Sequence, residues 1–207
     1  MGKIQNPTRL SETCELFGIV NYVESGTGHG ISMKHVLENC NTIENAYGIE
    51  LDERLYSKYP DTFGDTVKFY NGYSHEQMPK LIKDLNKKPT LFWLDAHFPG
   101  GDFFDEGFGK ESDNIKRLPM EEELRIVSTN RDISKDVFFL DDLRIYVDRD
   151  FEQGSWSDRS KYGSNGYDFV ENLIGETHIL IEHLRDEGYI LAFPVNTPEE
   201  DIRGILQ

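Results

Sequence analysis

Three carboxylates and an imidazole stand where strand-like segments end. Asp95 closes Thr90-Leu91-Phe92-Trp93-Leu94, with His97 two residues on, and Asp141-Asp142 closes Val137-Phe138-Phe139-Leu140. Four apolar residues in a row before an acid are expected of a central parallel strand buried on both faces. An acid ending such a strand lies at the carboxyl edge of the sheet, where open α/β folds hold their ligands. Like charges gathered there raise one another's pKa and cost stability unless cations compensate. A hard divalent cation answers that need, and Mg²⁺ keeps several waters beside a few carboxylates. Asp95, Asp141 and Asp142 are therefore read as metal ligands. The alternatives are that Asp142 turns outward or that Arg144 neutralises the pair.

A second constellation precedes these acids. Val23-Glu24-Ser25-Gly26-Thr27-Gly28-His29-Gly30 follows the apolar run Gly18 to Val23 and opens a helical stretch from Ile31 to Asn39, with Ile31, Met33, Val36 and Leu37 on one face. Glycines at alternate positions let a backbone turn tightly and approach a ligand without Cβ contacts. A dinucleotide loop would read G-x-G-x-x-G, with its third glycine one residue later. Here the order is acid-x-Gly-x-Gly-x-Gly, and an ordinary strand-to-helix turn is the competing reading. About twenty residues on, Ala46-Tyr47-Gly48-Ile49-Glu50 reads as a second strand ending in an acid, placed to accept both hydroxyls of a ribose. Asp52 and Glu53, at the start of a helical stretch reaching Tyr59, suit the positive end of its dipole instead.

The elements that must position these groups alternate strand and helix, which is the pattern of an α/β fold. A third strand, Thr66 to Asn71, leads through Gly72-Tyr73-Ser74 to a helix over His75 to Leu85. Further on, a helix is expected around Phe169 to Glu187, then a strand Tyr189 to Pro194 and a short last strand Ile202 to Leu206. Leu10, Cys14 and Phe17 share one face of an N-terminal helix that packs on the core or over the cofactor or a partner subunit, so assembly with a second copy is left open.

Residues 17 to 147 resemble the core of class I S-adenosylmethionine (SAM) methyltransferases, on the strength of the Glu24-to-Gly30 loop and Glu50. The resemblance implies a Rossmann-like seven-stranded sheet, mostly parallel with the last strand antiparallel, with helices on both faces and one domain over residues 1–207. It implies SAM as cofactor, held by Glu24, Ser25, Gly26, Thr27, Gly28, Gly30, Glu50, Ser74 and Asp95, with His29 bordering it. Members of the family often carry a Gly-Asp-Ser turn beside the adenine. Here Tyr73 replaces the acid, leaving a contact from Ser74 and stacking by Tyr73, or a plain turn in which Ser74 caps the next helix. Asp95 with Asp141-Asp142 is similar to the metal triad of cation-dependent O-methyltransferases. Catechol O-methyltransferase carries Asp and then Asp-Asn, and the macrocin O-methyltransferase (TylF-like) group carries Asp and then Asp-Asp, the nearer pattern. Trp93-Leu94-Asp95-Ala96-His97-Phe98-Pro99-Gly100-Gly101 and Leu118-Pro119-Met120-Glu121-Glu122-Glu123-Leu124 also resemble a set of bacterial and phage methyltransferase-like proteins.

The chemistry so implied is methyl transfer from SAM to a hydroxyl of a small molecule or sugar. Mg²⁺ or another divalent cation on Asp95, Asp141 and Asp142 would lower the hydroxyl pKa. His97 would take the proton, as an imidazole titrating near neutrality can, or pack in the loop. Asp95 and His97 are the catalytic pair of this reading. His35, His75, His178 and His183 are expected on exposed helix faces. Residues 99–117, where glycines alternate with Phe103, Phe104 and Phe108, read as a lid over the acceptor or as a disordered insertion. Residues 148–168, with Trp156 and Tyr162, would form the other wall.

Composition narrows the field. A net charge of -16 over 207 residues argues against a nucleic-acid partner, which needs clustered Lys and Arg. No signal peptide and no long apolar run is visible, so no membrane partner is expected. Cys14 and Cys40 lack zinc spacing and suit reduced thiols in the cytoplasm. Two other classes stay open. One is a SAM-binding protein or SAM-cleaving enzyme without methyl transfer. The other is a different nucleotide-binding, metal-dependent α/β enzyme, though no Gly-Lys-Ser/Thr phosphate loop is present.

Overall fold

The computed structural model describes residues 3–97, 112–157, 159–164 and 166–206. Seven strands form one sheet: β1 (Asn21–Ser25), β2 (Asn45–Glu50), β3 (Val67–Asn71), β4 (Thr90–Leu94), β5 (Val137–Leu140), β6 (His178–His183) and β7 (Tyr189–Pro194). Their order is β3-β2-β1-β4-β5-β7-β6. The first five pair in parallel, and β7 runs antiparallel to both its neighbours. The chain reverses its build direction between β1 and β4, so the ends of those strands flank the crevice in which such sheets bind ligands.

Pleating sends alternate residues to opposite faces, and each face has its own apolar layer. Val23, Ile49, Phe92, Leu94, Phe138 and Leu140 pack against Met78, Leu81, Leu124, Val127, Val170 and Ile174. Those partners come from α5 (Ser74–Asp84), α7 (Met120–Asn130) and α9 (Asp168–Ile174). Tyr22, Leu91, Trp93, Phe139, Tyr189, Leu191 and Phe193 face Leu10, Cys14, Met33, Val36, Ile202 and Ile205. Those belong to α1 (Leu10–Leu16), α2 (Ile31–Asn39) and α10 (Glu199–Ile205). Short helices α3 (Glu53–Tyr56), α4 (Tyr59–Phe63), α6 (Asn114–Arg117) and α8 (Arg159–Tyr162) lie in the connections. The N-terminal helix packs on the core: Leu10 and Cys14 are buried, and Phe17 stacks on Phe193 with ring centroids 5.5 Å apart.

The C-terminal third corrects two expectations. The segment expected to be one helix from Phe169 to Glu187 is α9 followed by the edge strand β6. The helix stops at Gly175, and Ile179-Leu180-Ile181 then supply β-branched and apolar residues that fit a pleated surface. His178 and His183 therefore stand on a strand, with His178 buried against the Asp136 carbonyl at 3.0 Å, whereas His35 and His75 are half-exposed on α2 and α5. The expected last strand over Ile202–Leu206 is instead α10. Pro198 precedes three acids in its first turn, and Ile202 and Ile205 bury at helical spacing. The antiparallel hairpin is thus β6–β7.

Candidate functional site

The glycine loop is held in place by the strand beside it. Gly26, Gly28 and Gly30 have φ of +74°, +57° and +71°, the left-handed region that side chains other than glycine rarely adopt. A Cβ on Gly26 would lie 2.7 Å from the Asp95 carbonyl oxygen, so loop and β4 end touch backbone to backbone. Glu50 Oε2 accepts the Gly28 N–H at 2.7 Å, and Oε1 accepts the Asp52 N–H at 2.7 Å. The Tyr59 hydroxyl donates to the Gly28 carbonyl at 2.7 Å, and Thr27 donates to Ile49 at 3.3 Å. Burial raises the Glu50 pKa against these backbone donors, which favour its charged form. An ionised carboxylate has about four acceptor sites, so Glu50 keeps acceptor capacity beyond these two backbone donors. Asp52, as expected, caps α3 through the Arg54 N–H.

The last residues of β1, β4 and β5 are level, so the acids that follow β4 and β5 stand side by side. Ser25 pairs with Leu94, and Leu94 with Leu140. The Asp95 N–H then donates to Ser25 at 3.2 Å, and that of Asp141 to Leu94 at 3.0 Å. Asp95, His97 and Asp142 each bring one ligand atom within 4.8 Å of the others. His97 Nε2 lies 2.6 Å from Asp142 Oδ2 and 3.8 Å from Asp95 Oδ1. Asp141 stands outside this group. Its Oδ1 accepts the Asp142 N–H at 2.8 Å, and its Oδ2 is buried without a partner. Asp142 adopts a left-handed backbone (φ 57°, ψ 45°), which turns it away from its neighbour's direction. It does not point outward into solvent, since it is 5% exposed. Arg144 pairs with Glu187 and reaches Asp142 only at 3.9 Å.

Electrostatics follow from this crowding. Burial, then the charge of Asp142 and of Glu24, pushes Asp95 well above the carboxylate range. Burial, then Asp95 and Asp142, does the same to Asp141. Burial also raises Glu24, opposed by the Tyr22 hydroxyl. Asp142 behaves differently: burial works against its charge, but the His97 imidazolium and Arg144 hold its pKa below the ordinary value. Burial likewise disfavours charge on His97, and Asp142 outweighs it, so the imidazole pKa rises.

Ser25 and Ser74 meet on the opposite face of the sheet around an acid that sequence reasoning missed. The Ser25 hydroxyl donates to Glu123 Oε2 at 3.1 Å, and Glu123 is fully buried with Oε1 unpartnered. Burial pushes its carboxyl up to about 7, while the nearby Ser74 and Ser25 hydroxyls favour its charged form. The signal was present: Met120, Glu123, Leu124 and Val127 share the buried helical face of α7, so one of three successive glutamates had to point inward. Ser74 is the first residue of α5 and buried, not its N-cap, and Tyr73 lies under the Lys116 ammonium at 4.9 Å. His29 is exposed. Of the stretch 148–168, Phe151 lies against Gly188 close to Leu143, and the Arg159 guanidinium donates to the Tyr146 carbonyl at 3.0 Å. Most of the segment read as a lid lies outside the described residues; its end, residues 112–117, contains α6 capped by Asp113.

No family model matches this sequence, and no curated protein does. Solved structures do. A candidate caffeoyl-CoA O-methyltransferase from Staphylococcus aureus aligns with a TM-score of 0.60 at 14% identity, covering 90% of this chain and 81% of that one. Spermidine synthase bound to the transition-state analogue AdoDATO gives 0.58 at 13%, covering 93% of this chain and 61% of that longer one. The O-methyltransferase TomG from Streptomyces achromogenes, in complex with SAM, gives 0.53 at 15%, covering 90% and 78%. At such identities the likeness concerns the backbone. The strand order, the antiparallel β7 and these alignments establish that the chain has the Rossmann-like fold of class I SAM-dependent methyltransferases.

Proposed function

We propose that this chain is a SAM-dependent methyltransferase that methylates a hydroxyl of a small molecule or sugar with the help of a divalent cation. One observation carries the reading: the Gly28–Glu50 lock and the Asp95–His97–Asp142 group occupy one sheet edge, joined by backbone contact between Gly26 and Asp95. The charge of the edge supports it. Glu24, Glu50 and Asp141 crowd the loop with buried oxygens beside the partly exposed Asp95, and of these Glu24 Oε2 and Asp141 Oδ2 lack partners. Such an edge repels a pyrophosphate and suits a ligand carrying sulfonium and ammonium cations. Proteins of this fold solved with SAM or S-adenosylhomocysteine, several of them O-methyltransferases, point the same way.

SAM supplies a methyl group already bonded to a good leaving group, so the protein must chiefly position the acceptor and deprotonate it. Glu50 takes the ribose hydroxyls, the loop from Glu24 through Ser25, Gly26, Thr27 and Gly28 to Gly30 lies beneath the cofactor, and Ser74 borders the adenine. Asp95 adjoins both cofactor and cation. A bound divalent cation would lower the acceptor hydroxyl pKa, with Asp95 and Asp142 as its carboxylate ligands. His97 Nε2 is shared between two roles, proton acceptor and ligand, which exclude each other at one atom. The described part of residues 148–168 would form an acceptor wall. The net charge of -16 favours a small acceptor over a nucleic acid. Cys14 and Cys40, both free and buried, suit the cytoplasm.

Calorimetric titration with SAM, S-adenosylhomocysteine and NAD tests the cofactor site: the two adenosyl ligands bind and NAD does not. Glu50→Gln weakens SAM roughly 10- to 100-fold, the cost of hydrogen bonds to a charged acceptor. Absence of adenosyl binding sinks the reading. Product analysis separates transfer, which yields S-adenosylhomocysteine, from cleavage, which yields methylthioadenosine.

A further inference from the structure

The Asp95–His97–Asp142 group differs from an all-oxygen cation site in its third donor. We propose that His97 Nε2 is a metal ligand and that Asp95, His97 and Asp142 form a mixed nitrogen–oxygen site selecting a first-row transition ion such as Mn²⁺, Fe²⁺, Co²⁺ or Zn²⁺ over Mg²⁺. The inference deepens the methyltransferase reading and rests on it only for the use to which the ion is put.

The geometry fits. Atoms bound about 2.0–2.2 Å from one ion stand roughly 3–4 Å from one another. Nε2 stands 2.6 Å from Asp142 Oδ2 and 3.8 Å from Asp95 Oδ1, so a small adjustment of the imidazole places all three around one centre. A plain His97–Asp142 ion pair would account for the 2.6 Å contact but not for what surrounds it. Asp142, with a side chain 7% exposed, spends Oδ2 on His97, and its buried Oδ1 accepts no hydrogen bond, with the Arg144 guanidinium no closer than 3.9 Å. His97 Nδ1 is buried without a partner too. Asp141, the carboxylate that would complete an oxygen-only set, is turned into a hydrogen bond with the Asp142 N–H.

Donor chemistry sets the preference. Mg²⁺ demands oxygen ligands in near-octahedral array and sheds water reluctantly. Imidazole suits later transition ions, and affinity at nitrogen-containing sites rises along the series from Mn²⁺ towards Cu²⁺. Two carboxylates keep such a site hard enough for Mn²⁺ and Fe²⁺, while the imidazole penalises Mg²⁺.

The test uses the full chain freed of metal with a chelator and titrated with Mn²⁺, Co²⁺ or Mg²⁺, with SAM binding measured on the same material. We expect Mn²⁺ and Co²⁺ to bind at least about tenfold more tightly than Mg²⁺, and pulsed electron paramagnetic resonance of the Mn²⁺ complex to show coupling to one histidine nitrogen. His97→Asn should abolish that coupling and narrow the Mn²⁺/Mg²⁺ preference about tenfold. Equal affinities, a spectrum without nitrogen coupling, or no metal binding would each overturn the inference. The wild-type spectrum decides the matter even if the variant fails to fold. SAM binding without metal binding defeats this inference alone. A nitrogen-ligated ion without SAM binding defeats the methyltransferase reading alone.

Discussion

The two edges of the one sheet are both polar, yet they are built to opposite ends. At the amino edge, Asn21 donates to Asn86 at 2.7 Å and accepts from Asn45 at 3.1 Å. Asp136 there accepts from the Thr90 N–H and from Arg131, and its carbonyl lies against His178. Each of these buried groups has a partner in chain. At the carboxyl edge, Glu24, His97, Asp141 and Asp142 each keep a buried polar atom with none. Buried polar groups are ordinarily satisfied, because each orphan costs about 1–3 kcal/mol. The amino edge is therefore satisfied within the chain, and the carboxyl edge is not.

That contrast can be broken by exchanging which edge suffers. Asp95→Asn should lower turnover at least about a thousandfold, since charge stabilisation by a bound cation is worth several kcal/mol. Thermal stability should hold or rise, because burial and like charges already disfavour the Asp95 carboxylate. Turnover assays beside a melting curve decide it, and unchanged turnover would remove the metal mechanism. Asp136→Ala should do the reverse. Arg131 is almost buried and would lose its carboxylate, at a cost of about 3–5 kcal/mol in denaturant unfolding, while SAM affinity of the folded protein stays within about twofold. A variant of normal stability would show that the amino edge is not the structural one.

Glu123 sharpens the comparison by pH. Its folded pKa of about 7 lies above the ordinary 4.5, so the folded state binds its proton more tightly than the unfolded chain. Its contribution to stability is undiminished below pH 4.5, falls as pH rises to about 7, and is then constant, a loss of about 3 kcal/mol. Glu123→Gln keeps an acceptor for Ser25 and cannot ionise. Relative to the parent it should gain nothing at pH 4 and about 3 kcal/mol at pH 8. A difference independent of pH would show that the carboxyl is not held protonated.

Strand interiors and acid positions were legible in the chain because their signals are local. Thr90-Leu91-Phe92-Trp93-Leu94 and Val137-Phe138-Phe139-Leu140 are apolar on both faces and do form central parallel strands. Glycine spacing marked the tight loop, whose glycines take positive φ, and Glu50 does end the second strand, where its carboxylate accepts the Gly28 N–H. The C-terminal third was misread because β6 is an edge strand, half-exposed along most of its length, whose mixed pattern does not separate period 2 from period 3.6. Ile202 and Ile205 gave α10 too few apolar positions to reveal its period.

Sequence alone determined that acids would close two neighbouring parallel strands and a third strand, β2, beside a glycine loop, since apolar runs and glycine positions follow from burial and backbone sterics. Tertiary structure decided which of them converge. Asp141 and Asp142 are adjacent in the chain, but pleating and a left-handed residue aim them apart, and His97 takes the place that adjacency would assign to Asp141. Glu123 reached Ser25 on the other face of the sheet from a helix far along the chain; its inward face follows from the helical period, its partner only from the fold. Side-chain direction at a strand end depends on register and on one backbone dihedral pair, and both are properties of the folded sheet.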